Sequence, residues 1–165
     1  FHDKCSDSFV KKYQTDKIFF VKCKMGPYSI NDERFIVYAN FLSKFKFDFV
    51  VATDVSDVEF NKNPFDFIQE KDKIYVGSDL INPMKKQPMF RLYKKRVNFS
   101  QKKAGSSIVN YKKEYENYQL YNAGIIGGFH EIVLKLFKEM TLIFCTIRSS
   151  LNNNMFILNY VLHKQ

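Results

Sequence analysis

A chain of 165 residues with 45% apolar and 17% aromatic content is long enough for one domain with a substantial core. Its formal net charge of +9 comes almost wholly from lysine, since Arg34, Arg91, Arg96 and Arg148 are the only arginines. Scattered lysines make a solvated surface, whereas reading of bases and phosphates favours arginine; composition therefore argues against a nucleic-acid protein and suits an anionic small ligand.

Taken in chain order, Ser6 or Asp7 is expected to cap a short helix ending at Tyr13, because a side-chain oxygen there takes up a free amide hydrogen. Lys17 to Lys22 predicts a strand, and Gly26-Pro27 a turn. Ser29 or Asn31 starts a longer helix reaching about Lys44. Asp32 and Glu33 suit the dipole of its first turn, and Phe35, Val37 or Tyr38, Phe41, Leu42 and Phe45 give it an apolar face. Phe49 to Ala52 is an apolar run that reads as a strand buried on both faces, as in a parallel sheet. Asn63-Pro64 sets an N-cap before a proline at the first position of a short helix ending near Glu70. Ile74 to Val76 predicts another strand, closed by Gly77. This alternation implies an α/β domain with a mainly parallel sheet flanked by helices. Residues 82–117 then read as an irregular basic insertion, broken by Pro83, Pro88 and Gly105 and carrying lysine pairs at 85–86, 94–95, 102–103 and 112–113. Leu120 to Ile126 is the last expected strand, ended by Gly127-Gly128. Helices follow over Phe129–Ile147 and about Asn153–His163.

Cys5, Cys23 and Cys145 match no metal spacing and read as free thiols, with one disulfide plus a spare thiol left open. No segment is long and apolar enough to cross a bilayer, and the residues after Phe1 lack the pattern of a signal peptide. Asn98-Phe99-Ser100 is a glycosylation sequon, so secretory (Golgi) and cytoplasmic locations both stay open. Phe1 falls in a loop-like stretch, which leads us to expect a single-domain fragment whose first strand or anchor lies upstream.

Chemistry concentrates at two places. The Phe49 strand ends abruptly in Asp54 and Asp57. Ligands of open α/β sheets sit beyond the carboxyl ends of such strands, and two carboxylates there can hold a hard divalent cation and, through it, a diphosphate. The bland alternative is a turn cap and a solvated loop residue. The second place is Tyr121 to Gly128, YNAGIIGG. Small residues let a ligand approach the backbone, and Asn122 offers both a donor and an acceptor to sugar hydroxyls; the bland alternative is a sterically tight connection. Arg34, early in the helix before the Asp54 strand, can reach a diphosphate at the same sheet edge, although an exposed polar helix face is the commoner fate. His130, near a helix start, is a candidate base with the same kind of everyday alternative.

The ordered blocks Ser29 to Phe35 (SINDERF), Thr53 to Val58 (TDVSDV), Asn63 to Phe65 (NPF) and Asn122 to Gly128 (NAGIIGG) resemble a family of nucleotide-sugar glycosyltransferases of the GT-A fold that carries TDVxDVxFxxxPF and NAGIIGG blocks. A more distant likeness is to glycogenin-like and lipopolysaccharide galactosyltransferase-like enzymes. The resemblance covers roughly Phe1 to Val161, apart from the Asn82–Asn117 stretch. It implies an Asp-x-Asp-type site for a divalent metal, manganese or magnesium, holding a nucleotide-diphosphate sugar that is transferred to a hydroxyl acceptor. By position Asp57 takes the second acidic place, and Asp54 lies one residue further away than the usual first, giving Asp-x-x-Asp. Asn122, Ala123 and Gly124 match the block lining the donor-sugar pocket, and Arg34 matches a helix position that approaches the nucleotide. Similar enzymes carry an acidic residue near Asn153 or Asn154, and asparagine cannot serve as a base there. Two readings therefore stand beside an active transferase: a sugar-nucleotide-binding relative without catalysis, and a basic nucleic-acid module built on the lysine pairs.

Overall fold

The structure is a computed structural model that describes residues 1–78 and 117–164. The expected basic insertion therefore lies outside the described residues, apart from Asn117, and so does the glycosylation sequon.

Four α-helices and three strands make up the described residues. Helix α1 (Asp7–Tyr13) is capped by Ser6, whose hydroxyl accepts from the Phe9 amide at 3.2 Å. The expected Lys17–Lys22 strand is not formed. Lys22 makes only an isolated parallel bridge to His2, and Ile18 and Phe19 are exposed. Apolar sequence supplies β-propensity, but a strand exists only where a second backbone pairs with it. Helix α2 (Ile30–Leu42) starts at Ser29, whose Oγ accepts from the Asp32 amide at 3.2 Å. Its buried face is Phe35, Ala39 and Leu42, with Tyr38 and Phe41 partly covered; Phe45, expected on that face, is exposed beyond the helix end.

Strand β1 (Phe49–Thr53) follows, then a single 3-10 turn at Pro64–Phe67 in place of the helix expected to reach Glu70. Strand β2 is Tyr75–Ser78 and β3 is Tyr121–Phe129. The sheet order is β1-β3-β2, with β3 antiparallel to both neighbours. The fold is α/β as expected, but the mainly parallel sheet is corrected: β1 and β2 run the same way, yet β3 lies between them in the opposite sense. An apolar run reports burial, not the direction of its partner, and every residue of β1 is in fact only half-buried.

A second correction concerns Gly127-Gly128, which do not end the strand. They lie inside β3, paired with Val51 and Val50 of β1. A Cβ on Gly127 would stand 3.3 Å from Val51 Cγ2 and 3.4 Å from Ile68 Cδ1, so glycine here serves close packing.

Helix α3 (His130–Ile147) presents Val133, Leu136, Phe137, Met140, Phe144 and Ile147 to the core at helical spacing. The Phe35 ring of α2 meets Phe137 edge-on at 5.4 Å and stacks on Phe144 at 6.3 Å. Burying one such phenylalanine stabilises by roughly 2–3 kcal/mol. Helix α4 (Asn154–Lys164) is buried almost all round, through Phe156, Ile157, Leu158, Tyr160 and Val161. No helix among the described residues is long and apolar enough to cross a membrane.

Candidate functional site

A short connection turns the chain from α2 into β1, and the stacked rings of Phe41 and Phe47 (5.9 Å) mark that corner. The helix therefore runs back along the strand, and its N-terminal half, with Arg34, lies at the carboxyl end of β1. There the Asp54 amide donates to the Gly124 carbonyl at 2.8 Å, which continues the β1–β3 ladder one residue past Thr53.

On its other edge β3 departs from regular pairing. Val76 of β2 faces Ile126, but the next residue, Gly77, faces Asn122. Ala123, Gly124 and Ile125 thus bulge past β2. Bulges re-aim backbone and side-chain groups, and they recur beside active sites. Here the bulge directs the Ala123 carbonyl to Arg34, whose Nη2 donates to it at 3.0 Å. Arg34 Nη1 forms an ion pair with Asp54 Oδ1, and the guanidinium lies over the Phe35 ring, 4.9 Å from its centroid. The two charged side chains are 19% and 31% exposed, so the pair is partly screened from water. Burial pushes the Arg34 pKa below its ordinary value, while the charges of Tyr38, Asp32 and Asp57 oppose the shift.

Asn122 Oδ1 accepts from the Gly124 amide at 2.7 Å, a local Asx-type bond. Gly124 is therefore hemmed in by oxygen: a Cβ there would stand 2.9 Å from Asn122 Oδ1 and 3.1 Å from Asp54 Oδ2. Five of the six residues expected from the sequence to bind the ion or the donor (Arg34, Asp54, Asn122, Ala123 and Gly124) meet at this one point. The sixth, Asp57, is exposed on the following loop, close enough for its charge to act on Arg34. An apolar cavity of about 370 Å³ runs beside β1, and Thr53 and Val55, on either side of Asp54, help to line it.

The donor set suits a divalent ion only in a particular way. One Asp54 oxygen is engaged by Arg34; Asp54 Oδ2 and the Asp57 carboxylate remain. Among the described residues no cluster holds three or more His, Cys, Asp or Glu at metal-binding spacing. Magnesium-type ions accept one or two carboxylates when phosphate and water supply the rest, so an ion held by these two carboxylates would need further oxygens from whatever it binds with.

The remaining candidates lie elsewhere. His130 is buried at the opposite end of β1, where its amide donates to the Asp48 carbonyl at 3.2 Å. Asn153 and Asn154 are buried, and the Asn153 amide donates to both Asp32 oxygens, at 2.9 and 3.1 Å. Burial raises the Asp32 pKa, against the hydrogen bonds from Asn153, Ser29 and Asn154 that lower it. Sequence reasoning passed over Asn159, which is 1% exposed. Its Oδ1 accepts from the Tyr121 amide at 2.8 Å, and its Nδ2 donates to the carbonyls of Tyr121 (2.9 Å) and Met155 (2.7 Å). A lone asparagine in the apolar run FILNYVL was the available signal, because a buried amide demands partners.

No protein-family model, curated protein or solved structure matches the chain.

Proposed function

We propose that the chain is a GT-A-like glycosyltransferase domain that binds a nucleotide-diphosphate sugar with a divalent ion, manganese or magnesium, and transfers the sugar to a hydroxyl acceptor. The observation that carries this reading is the meeting of Arg34, Asp54 and the Asn122–Gly124 bulge at the carboxyl end of β1. Asp54 and Asp57 would hold the ion. Arg34 would lie beside the diphosphate, and Asn122 with the Ala123–Gly124 backbone would line the sugar pocket. The apolar cavity flanking Asp54 gives room for a nucleoside next to the charged group. When bound, a divalent ion neutralises charge on a departing diphosphate. The protein's own part is to fix the carboxylates and hydrogen-bonding groups in advance, so that little reorganisation accompanies reaction.

The test is calorimetric titration with uridine, guanosine and adenosine diphosphates, with and without Mn²⁺, for wild type, Asp54→Ala and Asp57→Ala. Binding of at least one nucleotide should need Mn²⁺ and weaken about tenfold in both variants, the loss expected when one of two carboxylates holding the ion is removed. Equal, metal-independent binding in all three proteins would count against the site.

A second reading is favoured by Asn153 and Asn154. Where the resemblance expects a carboxylate, these amides are buried and Asn153 is bound to Asp32. In that reading the chain binds donor without transferring it. Donor hydrolysis by wild-type protein, abolished in Asp57→Ala, would remove it; binding without any turnover would favour it over the enzyme.

A further inference from the structure

The ion pair between Arg34 and Asp54 gives the end of β1 a charge balance that two bare aspartates would lack. Asp54 and Asp57 bring two negative charges. Arg34 brings one positive charge, and three contacts fix it: Asp54 Oδ1, the Ala123 carbonyl at 3.0 Å and the face of Phe35 at 4.9 Å. Its Nε is buried and has no hydrogen-bond partner among the described residues, so the guanidinium is not a solvated side chain free to swing away. Lysine could not reproduce this arrangement, because the planar fork meets carboxylate and carbonyl together.

We propose that Arg34 is a specificity-determining residue that makes this site take a divalent cation together with a diphosphate in preference to the free cation. The inference rests on the function proposed above. With Arg34 the three side chains sum to one negative charge; a divalent ion turns that to one positive charge, which attracts a diphosphate. Without Arg34 they sum to two negative charges, which a divalent ion alone neutralises. A cation at Asp54 must also share that carboxylate with the guanidinium, and like charges on one carboxylate repel. Arg34 therefore weakens binding of the bare ion and strengthens binding of the ion–diphosphate pair. Coupling of this kind is reciprocal: diphosphate raises affinity for the ion by the same factor as the ion raises affinity for diphosphate.

The experiment is a pair of titrations on wild type, Arg34→Met, Arg34→Gln and Arg34→Lys. Free Mn²⁺ is followed by its electron paramagnetic resonance signal without nucleotide, and the nucleoside diphosphate that binds wild type is titrated at saturating Mn²⁺. Removing one charge at this range should shift each affinity about tenfold, in opposite directions. Arg34→Met and Arg34→Gln should bind Mn²⁺ alone about tenfold more tightly and the nucleotide at least tenfold more weakly. Arg34→Lys, which keeps the charge, should leave binding of Mn²⁺ alone within about threefold of wild type. Circular dichroism checks that each variant is folded; Arg34→Gln keeps a donor for the Ala123 carbonyl should Arg34→Met not fold. Unchanged or weaker Mn²⁺ binding in the neutral variants overturns this inference and leaves the site reading in place. A wild-type protein that binds no nucleotide, with or without Mn²⁺, overturns both.

Discussion

Gly124→Ala is the most direct probe of the candidate site. The new methyl carbon would lie 2.9 Å from Asn122 Oδ1 and 3.1 Å from Asp54 Oδ2, both inside ordinary contact distance. Neither oxygen can yield freely. Asn122 Oδ1 is held by the Gly124 amide at 2.7 Å. Asp54 is held by Arg34 through its side chain and by the Gly124 carbonyl through its backbone, at 2.8 Å. Overpacking against groups so fixed costs about 1–3 kcal/mol. Urea unfolding, followed by circular dichroism, should show a stability loss of that size as a lower midpoint at unchanged slope. A double-mutant cycle localises the cause. In an Asp54→Ala background the methyl loses one of its two obstacles, so the cost of Gly124→Ala should fall by about 1 kcal/mol. A Gly124→Ala protein as stable as wild type, or a cost independent of Asp54, would refute the arrangement of these oxygens around Gly124.

Three further outcomes are expected. Asn159→Ala removes the side chain that bonds both the amide and the carbonyl of half-buried Tyr121 and should cost about 1–3 kcal/mol in urea unfolding; a loss below about 0.5 kcal/mol would contradict the clamp. Asp32 has a raised folded pKa, so the stability it contributes is full below its ordinary 3.8 and is lost as pH rises through the folded value. Asp32→Asn does not titrate, and its cost relative to wild type should therefore shrink from pH 4 to pH 7; a cost that grows over this range would reverse the assignment. Burial lowers the His163 pKa, so its contribution is present above the ordinary 6.5 and lost as pH falls through the folded value. His163→Phe should remove that acid-side decline from the midpoint-against-pH curve, and an unchanged curve would exclude His163 as its source.

Four helices were legible because their signals are local: Ser6 and Ser29, each one of two caps offered, do cap, and α3 spaces its apolar residues along one face, whereas the helix expected from Pro64 to Glu70 forms only a 3-10 turn. Strand direction was not. Phe49 to Ala52 announces a strand, but the antiparallel course of β3 depends on a backbone more than seventy residues away. Gly127 and Gly128 illustrate the same limit, since a glycine demanded by packing across strands looks in sequence like one demanded by a turn. At the site, residue types on separate elements suggested Asp54, Arg34 and Asn122 singly. Their ion pair and the bulge that joins them belong to tertiary structure, and no spacing encodes the three residues of β3 that slip past Val76.

Asn153, just before α4, and Asn159, within it, connect fold to site in a way their sequence context concealed. Asn153, in the block where the similar enzymes carry an acidic residue, ties the start of α4 to Asp32, two residues before Arg34. Asn159 ties the middle of the same helix to Tyr121, one residue before Asn122. One buried helix thus holds both walls of the candidate site, the arginine side on α2 and the amide side on β3. Each tie ends within two residues of a site side chain, too short a span of chain to absorb a displacement. The site should therefore respond to changes in α4 that touch neither Asp54 nor any ligand. In Asn159→Ser, which keeps one hydrogen-bonding group, nucleotide affinity should fall further than stability alone accounts for. The comparison is made by titrating at a temperature where wild type and variant are both more than 95% folded, which needs about 1.7 kcal/mol of remaining stability. An affinity equal to wild type under that condition would show that α4 supports the fold without positioning the site.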